Sequence, residues 1–389
     1  MEGAPPHMLT GNSGEQLLSA SKLLASILDS LRRQAIPYVV ERNYTGYPEY
    51  LTGDVDLIVA PAGVESAAGR ILQVADELGW SCFYELRRPY VRYLGLCRDV
   101  FPERSVLVIE LFAGGLWYSV PFLTAAEILA QRRLYHDLWV PSLHHEAGIT
   151  LFHHLLWNRR IPQKYRTRIG DLVGPERSEF LLAMTPAFGE RLSKKVCALV
   201  QDECWAELEG LARQCLLQLN WRGFSRRPFA YISGWCEAVR SWQHTEQGVV
   251  LVLRADHDVW RRKVVQAMLD LADEWHIFLP SFRKCIDVAT QAEFQQQRAS
   301  LFRIARRAVA RGGVAVFGVP LAEAEDVFSQ VGTCYRIDYR HNALRLQDRL
   351  VAEELLNHDH MSARRTASLI WSSVLASHAN RRAESLVSE

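Results

Sequence analysis

The stretch YLTGDVDLIVAP, residues 50–61, places two carboxylates, Asp54 and Asp56, at the mouth of an apolar run. On a strand, residues i and i+2 face the same side, so the two acids stand together. Like charges held side by side repel, and a divalent cation or an arginine is expected to join them. The plainer reading is a turn, in which Gly53-Asp54 opens a loop and Asp56 begins the strand. A second acid-bearing run separates the two readings. VLVIELF, residues 106–112, is a strand candidate whose single acid, Glu110, stands between Ile109 and Leu111. A carboxylate in so apolar a run is costly to bury unpaired. On a strand beside DVDLIV it brings a third carboxylate to the other two. Three carboxylates on neighbouring strands make a hard oxygen site for one or two Mg2+ or Mn2+ ions, which bind nucleotide phosphates. Asp54 and Asp56 then hold the metal, and Glu110 either joins them as a ligand or accepts the proton of an attacking hydroxyl. Crowded like charges also imply that Asp56→Asn leaves stability unchanged or slightly raised.

Around this centre the pattern is that of a small α/β sheet. QLLSASKLLASILDSLRR (16–33) sets Leu17, Leu24, Ile27 and Leu31 at helical spacing. PYVVERN reads as a strand that breaks at Asn43, and YTGYPEYLTG as a Gly/Pro loop before DVDLIVA. GVESAAGRILQVADELGW (63–80) is an amphipathic helix ending at Gly79. VRYLGLCRDV and SVLVIELFAGG form an antiparallel pair. The polar residues of such a sheet gather at one edge.

The run VERNYTGYPEYLTGDVDLIV (40–59) resembles the nucleotidyltransferase superfold of polymerase β-like enzymes, in a bacterial branch where Arg-Asn takes the turn position and a Y-x-G-Y-P loop follows. That family carries a helix, a strand, Asp-x-Asp and a third acid on a later strand. The resemblance covers residues 16–125. It implies Asp54, Asp56 and Glu110 as metal ligands and Arg42 and Asn43 as phosphate contacts. It also implies an NTP substrate and Mg2+ or Mn2+ as cofactor. The Gly-Ser turn usual in the family is absent here. In the family a Lys-Tyr segment follows the catalytic domain, which makes Lys164 and Tyr165 candidate walls of the cleft.

Beyond residue 122 the periodicity turns helical, through LTAAEILAQRR, HHEAGITLFHHLLWNRR, RSEFLLAMTPAFGERLSKKVCALV and WAELEGLARQCLLQL. The histidines at 144, 145, 153 and 154 are read as members of an amphipathic helix, because positions 145 and 153 are too far apart to share one ion. NRRIPQKYRTR (158–168) and WRGFSRRPF (221–229) mix basic with aromatic residues, as nucleotide or nucleic-acid contacts do and as solvated loops also do.

Near residue 247 strand and helix alternate again. GVVLVLRADHDVWRRKVVQAMLDLADE (248–274) has the layout strand, loop, helix of a phosphate-binding unit, but the loop lacks G-x-x-x-x-G-K-[ST]. Trp260 stands about where the lysine belongs, and Asp256 and Asp258 repel phosphate. LFRIARRAVARGGVAVFGVP and CYRIDYRHNALRLQDRLVAEEL resemble the arginine-bearing helix, the following strand and the last strand and helix of thymidylate kinase-like domains, without their Asp-Arg signature. The resemblance spans 247–356 and implies a degenerate P-loop kinase-like fold that does not phosphorylate.

The expected organisation is a flexible leader (1–15), a nucleotidyltransferase-like α/β domain (16–125), a helical domain (126–245), a degenerate thymidylate kinase-like α/β domain (246–358), and a C-terminal helix and tail (359–389). Over 389 residues the net charge is +1, so no global field favours nucleic acid or an anionic membrane. Eight cysteines without a CxxC pair signal neither a zinc ribbon nor a disulfide framework, and fit reduced thiols in a cytoplasmic protein. No apolar run is long enough to span a bilayer. The function expected is metal-dependent transfer of an NMP from an NTP to a hydroxyl acceptor, a small molecule or glycan by resemblance. The alternative is a non-catalytic scaffold in which both folds have decayed.

Overall fold

The structure is a computed structural model. It describes residues 13–42, 44–47, 54–88, 90–100, 103–243, 249–255, 258–274, 283–287, 291–310, 314–319, 334–340, 343–346, 349–352 and parts of 363–377. Residues 1–12 and Asn43 lie outside the described residues, as does most of the tail, while residues 13–15, expected in the leader, are already helical.

Helix α1 (Ser13–Arg33) leads into β1 (Tyr38–Val40), β2 (Val55–Val59), α2 (Val64–Glu77), β3 (Ser81–Arg87), β4 (Val91–Val100) and β5 (Glu103–Phe112). The five strands make one sheet in the order β1-β2-β5-β4-β3. Only β2 and β5 run parallel within it; the remaining pairs are antiparallel. Helix α2 ends as its sequence implies, with Gly79 at φ +73°, in the left-handed region that favours glycine. Strand β3, SCFYELR, was absent from the expected order. Its alternation is broken where the register slips between Cys82 and Tyr84, which hides the period of two.

Side-chain alternation then decides what each face meets. Val55, Leu57, Val59, Ile109 and Leu111 pack with Leu24, Ile27, Leu31 and Ile71 of α1 and α2. Val39, Ile58 and Phe112 point the other way, into the helical layer that follows. Asp56 and Glu110 share this second face. Farther along the sheet Tyr84 and Tyr93 pack into the C-terminal core instead. The acids therefore emerge where the sheet's cover passes from one part of the chain to the other.

The middle of the chain is not helical from its start. A hairpin of β6 (Gly114–Trp117) and β7 (Val120–Thr124) precedes α3 (Ala125–Ala130), and a second of β8 (Arg133–Tyr135) and β9 (Leu138–Val140) follows it. Thr124 caps α3 in a capping box with Glu127. Next come α4 (Leu143–His153), a π-helical turn at His154–Asn158, α5 (Gln163–Val173), α6 (Arg177–Phe188), α7 (Glu190–Gln201), α8 (Trp205–Gly210), α9 (Ala212–Arg226) and α10 (Pro228–Gln243). Helix α4 is buried from His144 to Phe152, so the amphipathic expectation for it is corrected. It is a core helix, and its polar side chains are satisfied internally: His144 pairs with Glu176 at 2.7 Å and with Gln131 at 3.0 Å.

A six-stranded sheet completes the chain. Its elements are β10 (Val249–Ala255), α11 (Asp258–Glu274), β11 (Arg283–Asp287), α12 (Gln291–Ala310), β12 (Val314–Val319), β13 (Cys334–Arg340), β14 (Ala343–Leu346) and β15 (Arg349–Ala352). The order is β11-β12-β10-β13-β14-β15, with the first four strands parallel. The first strand in sequence is thus central, as in doubly wound sheets, and the molecule is α/β at both ends. Strands β14 and β15 form a β-meander with β13 where a helix was expected. Leu344, Leu346 and Leu350 alternate with arginines there, which is the period of a strand. Trp260 is partly buried against the core of this part. Asp256 lies outside the described residues, as does the side chain of Asp258. Among the described residues no helix is long and apolar enough to cross a membrane.

Residues 366–371 and 373–375 are helical and close this core. Trp371 is fully buried and its indole N–H donates to the Met268 carbonyl at 2.7 Å. Trp371→Ala is expected to cost about 3–5 kcal/mol, read from urea unfolding followed by tryptophan emission.

Candidate active site

The parallel pairing of β2 with β5 sets Asp56 directly opposite Glu110. Asp54 immediately precedes β2, on the same side as Asp56. One carboxylate oxygen from each of the three lies within 4.8 Å of the others. Such a set of hard oxygen donors fits Mg2+ or Mn2+, and lacks the sulfur or imidazole that zinc favours. The sequence expectation brought these three together, and the structure does too.

It also adds a fourth acid and a counter-ion. Glu41 is buried where β1 ends, its backbone N–H donating to the Asp56 carbonyl at 2.8 Å. Burial, with repulsion from Asp56 and Asp54, pushes its carboxyl up to about 8 against the pull of Arg42. Burial likewise holds Glu110 well above the usual carboxylate range, reinforced by Asp56 and Asp54. Arg42 donates from Nε to Asp56 Oδ2 at 2.5 Å, with side-chain exposures of 14% and 0%. Burial works against its charge, but Asp56 and Glu41 outweigh that and push the guanidinium up. Arg42, expected as a phosphate contact, is thus the counter-ion of Asp56 in this structure. Glu41 was legible only as one letter in PYVVERN. Its signal was an acid directly after three buried strand residues.

The ion pair also corrects the expectation for Asp56→Asn. Neutralising Asp56 leaves the largely buried guanidinium with Glu41, at 3.9 Å, as its remaining acid, which is destabilising. Relief of crowding among the acids is smaller than that loss.

The loop carrying Arg42 is held to the helical layer by a buried network. Tyr44 donates to Glu146 at 2.5 Å, and Arg133 and Arg168 also bond this carboxylate. The next helical turn brings His153 and His154 near. Burial, then Arg42, keeps both imidazoles uncharged, that of His154 down to about 4. The Tyr165 ring lies 4.5 Å from His154, and Lys164 stands over Tyr165 at 4.8 Å. Lys164 and Tyr165 are therefore on the Arg42 side of the acids. Beside Glu110 stands an aromatic group that the sequence did not reveal. Tyr118 has Trp117, Trp157 and Trp235 within 5.0 Å between ring centroids, and Tyr90 at 5.6 Å. These rings come from four separate segments, so no local pattern marks them. A cavity of about 610 Å³ lies elsewhere, between α3, β7, α6 and α9, and none of the acids lines it.

No protein-family model matches the chain, and no curated protein does. Two solved structures from Helicobacter pylori are similar to it. One, named as a nucleotidyltransferase, is 13% identical over 54% of this chain and 96% of its own, with a TM-score of 0.27. The other, JHP933, is 14% identical over 55% and 97%, again with a TM-score of 0.27. Likeness at this level carries no inference about substrate or chemistry.

Two measurements follow from the charges. Glu41 binds its proton more tightly folded than unfolded, so its contribution to stability is complete below pH 4.5 and is lost as pH rises to about 8. In Glu41→Gln this part of the decline should vanish from the pH dependence of urea unfolding in EDTA. Arg42→Met should lower metal-free stability by about 3 kcal/mol or more, because it breaks a buried pair. The loss should shrink when Mn2+ is added.

Proposed function

We propose that the chain is a nucleotidyltransferase, moving an NMP from an NTP to a hydroxyl-bearing acceptor at the carboxylate cluster. The observation that carries this reading is the alignment of Asp56 with Glu110 on parallel strands, with Asp54 close by. That arrangement gathers acids on the face of two interior strands to no structural advantage. Asp54, Asp56 and Glu110 would hold the metal, Mg2+ or Mn2+. Once bound, such an ion supplies Lewis acidity toward phosphate oxygens and offsets charge on the leaving pyrophosphate.

The protein's own groups do the rest. The acceptor oxygen forms a bond to the α-phosphorus while the bond to pyrophosphate breaks, and the hydroxyl proton must leave. Glu110 takes it only from its ionised form, which Arg42 favours. Arg42 and Lys164 offer positive charge to the phosphates. The half-buried rings of Tyr90, Tyr118 and Trp157 offer faces on which a planar ring stacks. The helical layer and the C-terminal core flank the acids and limit water there. Within this reading the C-terminal part is a degenerate P-loop kinase-like domain. Its central first strand and parallel neighbours support that, and its role is that of a scaffold.

One observation favours a second reading. Arg42 already neutralises Asp56, so the cluster persists without metal, as a non-catalytic binding protein requires. Labelled NTPs with Mg2+ or Mn2+ and a panel of hydroxyl acceptors separate the two. The enzyme should bind NTP only with metal, release pyrophosphate and label an acceptor. Asp56→Asn should lower this by about a thousandfold or more. Calorimetry showing no metal-dependent NTP binding would reject the transferase and leave the scaffold.

A further inference from the structure

Helices α9 and α10 reverse the usual arrangement of a surface helix. Leu217, Trp221 and Phe224 follow one another at i, i+4 and i+7, and all are exposed, at 64%, 67% and 43%. The buried residues of α9, Ala212, Cys215 and Leu219, occupy the opposite side. On α10, Phe229, Ile232 and Val239 repeat the pattern at i, i+3 and i+10, with Phe229 87% exposed. Gly234 and Ala238 are its inward side, Gly234 lying against Ser119. Each helix thus turns an apolar stripe toward solvent, where charged residues belong. Of nine large apolar side chains that are exposed among the described residues, six are on this hairpin.

Charge decides between the surfaces such a hairpin could meet. From Ala212 to Gln243 there are five arginines, 213, 222, 226, 227 and 240, against one acid, Glu237. The chain as a whole is nearly neutral at +1, so the excess is local. Arg213 is exposed on α9, and Arg226 and Arg227 are exposed at the turn into α10, where they also line the cavity of about 610 Å³, whereas Arg222 bonds the carbonyls of Thr185 and Pro186. A second copy meeting this face would set arginines against arginines. Solvent-facing Trp and Phe bordered by arginine instead match the headgroup and acyl boundary of an anionic bilayer.

We propose that the α9–α10 hairpin docks the protein on an anionic lipid surface, lying on the membrane without crossing it. The apolar stripes enter the interface, and Arg213, Arg226 and Arg227 meet the headgroups. This stands independently of any catalytic reading.

The test is co-sedimentation of the full chain with vesicles of phosphatidylcholine alone, or of phosphatidylcholine mixed with phosphatidylglycerol. The protein should sediment with the mixed vesicles only, and less as salt is raised. Phe229→Ser with Ile232→Ser should abolish the binding, and Arg226→Gln with Arg227→Gln should weaken it about fivefold per arginine. Both pairs are on exposed positions, and unchanged thermal unfolding would confirm intact folds. Failure of the wild type to bind mixed vesicles would overturn the proposal, as would equal binding to neutral ones or indifference to both double variants. A lipid-free dimer that Phe229→Ser with Ile232→Ser dissociates would assign the face to a second copy instead.

Discussion

Everything around the acid cluster follows from Asp56 lying beside Glu110. Neighbouring strands are about 4.8 Å apart, so two side chains in register cannot avoid each other. Two carboxylates at that spacing do not both remain charged in a buried place without compensation. The chain supplies it twice over. Arg42 is brought to Asp56 by the end of β1, whose pairing with β2 continues through the Glu41 backbone. Glu41 and Glu110, for their part, are driven toward their protonated forms. The network of Tyr44 with Glu146 then fixes the segment that presents Arg42, because Glu146 is itself buried and held by two arginines.

The parts of this that are legible in sequence are those in which pattern and chemistry coincide within one short stretch. Asp56 and Glu110 each interrupt an apolar strand and Asp54 stands just before one, and an interrupted strand is visible without a partner. The helices α1 and α2 announce themselves by periodicity, and α2 by the glycine that ends it. What escaped is what depends on long-range packing. Strand β3 carries a register slip that blurs its alternation. Helix α4 reads as amphipathic from its histidines, yet it is buried, because Glu176 and Gln131 reach those rings from elsewhere in the chain. Arg42 was placed at the site, but its pairing with Asp56 was not foreseen. Its proximity to Asp56 spans 14 positions, and no spacing rule links an arginine at a strand end to an acid across the ladder. The C-terminal sheet was legible as an alternation of strands and helices. Its last segment was not, since ALRLQDRLVAEEL has leucines that serve either period.

The uncharged histidines are informative about how the site is walled. An anionic cluster by itself would favour imidazolium nearby. His153 and His154 are neutral all the same, because burial and Arg42 both oppose a second cation there. The π-helical turn that begins at His154 lets that helix end beside Arg42 with a left-handed residue, Arg159 at φ +54°. A wall of neutral rings leaves the positive charge of this side to Arg42 and Lys164.

That placement gives Arg42 two alternatives. With the acids alone present, Asp56 is its partner, and the guanidinium is committed to holding the cluster together. When the negative charge of the cluster is offset from the other side, Asp56 no longer needs it. A buried guanidinium released from one carboxylate does not become harmless; it seeks another planar anion, and its fork of N–H donors suits phosphate as well as carboxylate. On the proposed reading the same residue can therefore hold the metal-free cluster together and then meet a substrate phosphate. Lysine would serve this exchange poorly, since its compact charge makes one contact at a time and loses its proton more readily when buried. Arginine at position 42 is thus suited to a place where four acids are folded together beside one cation.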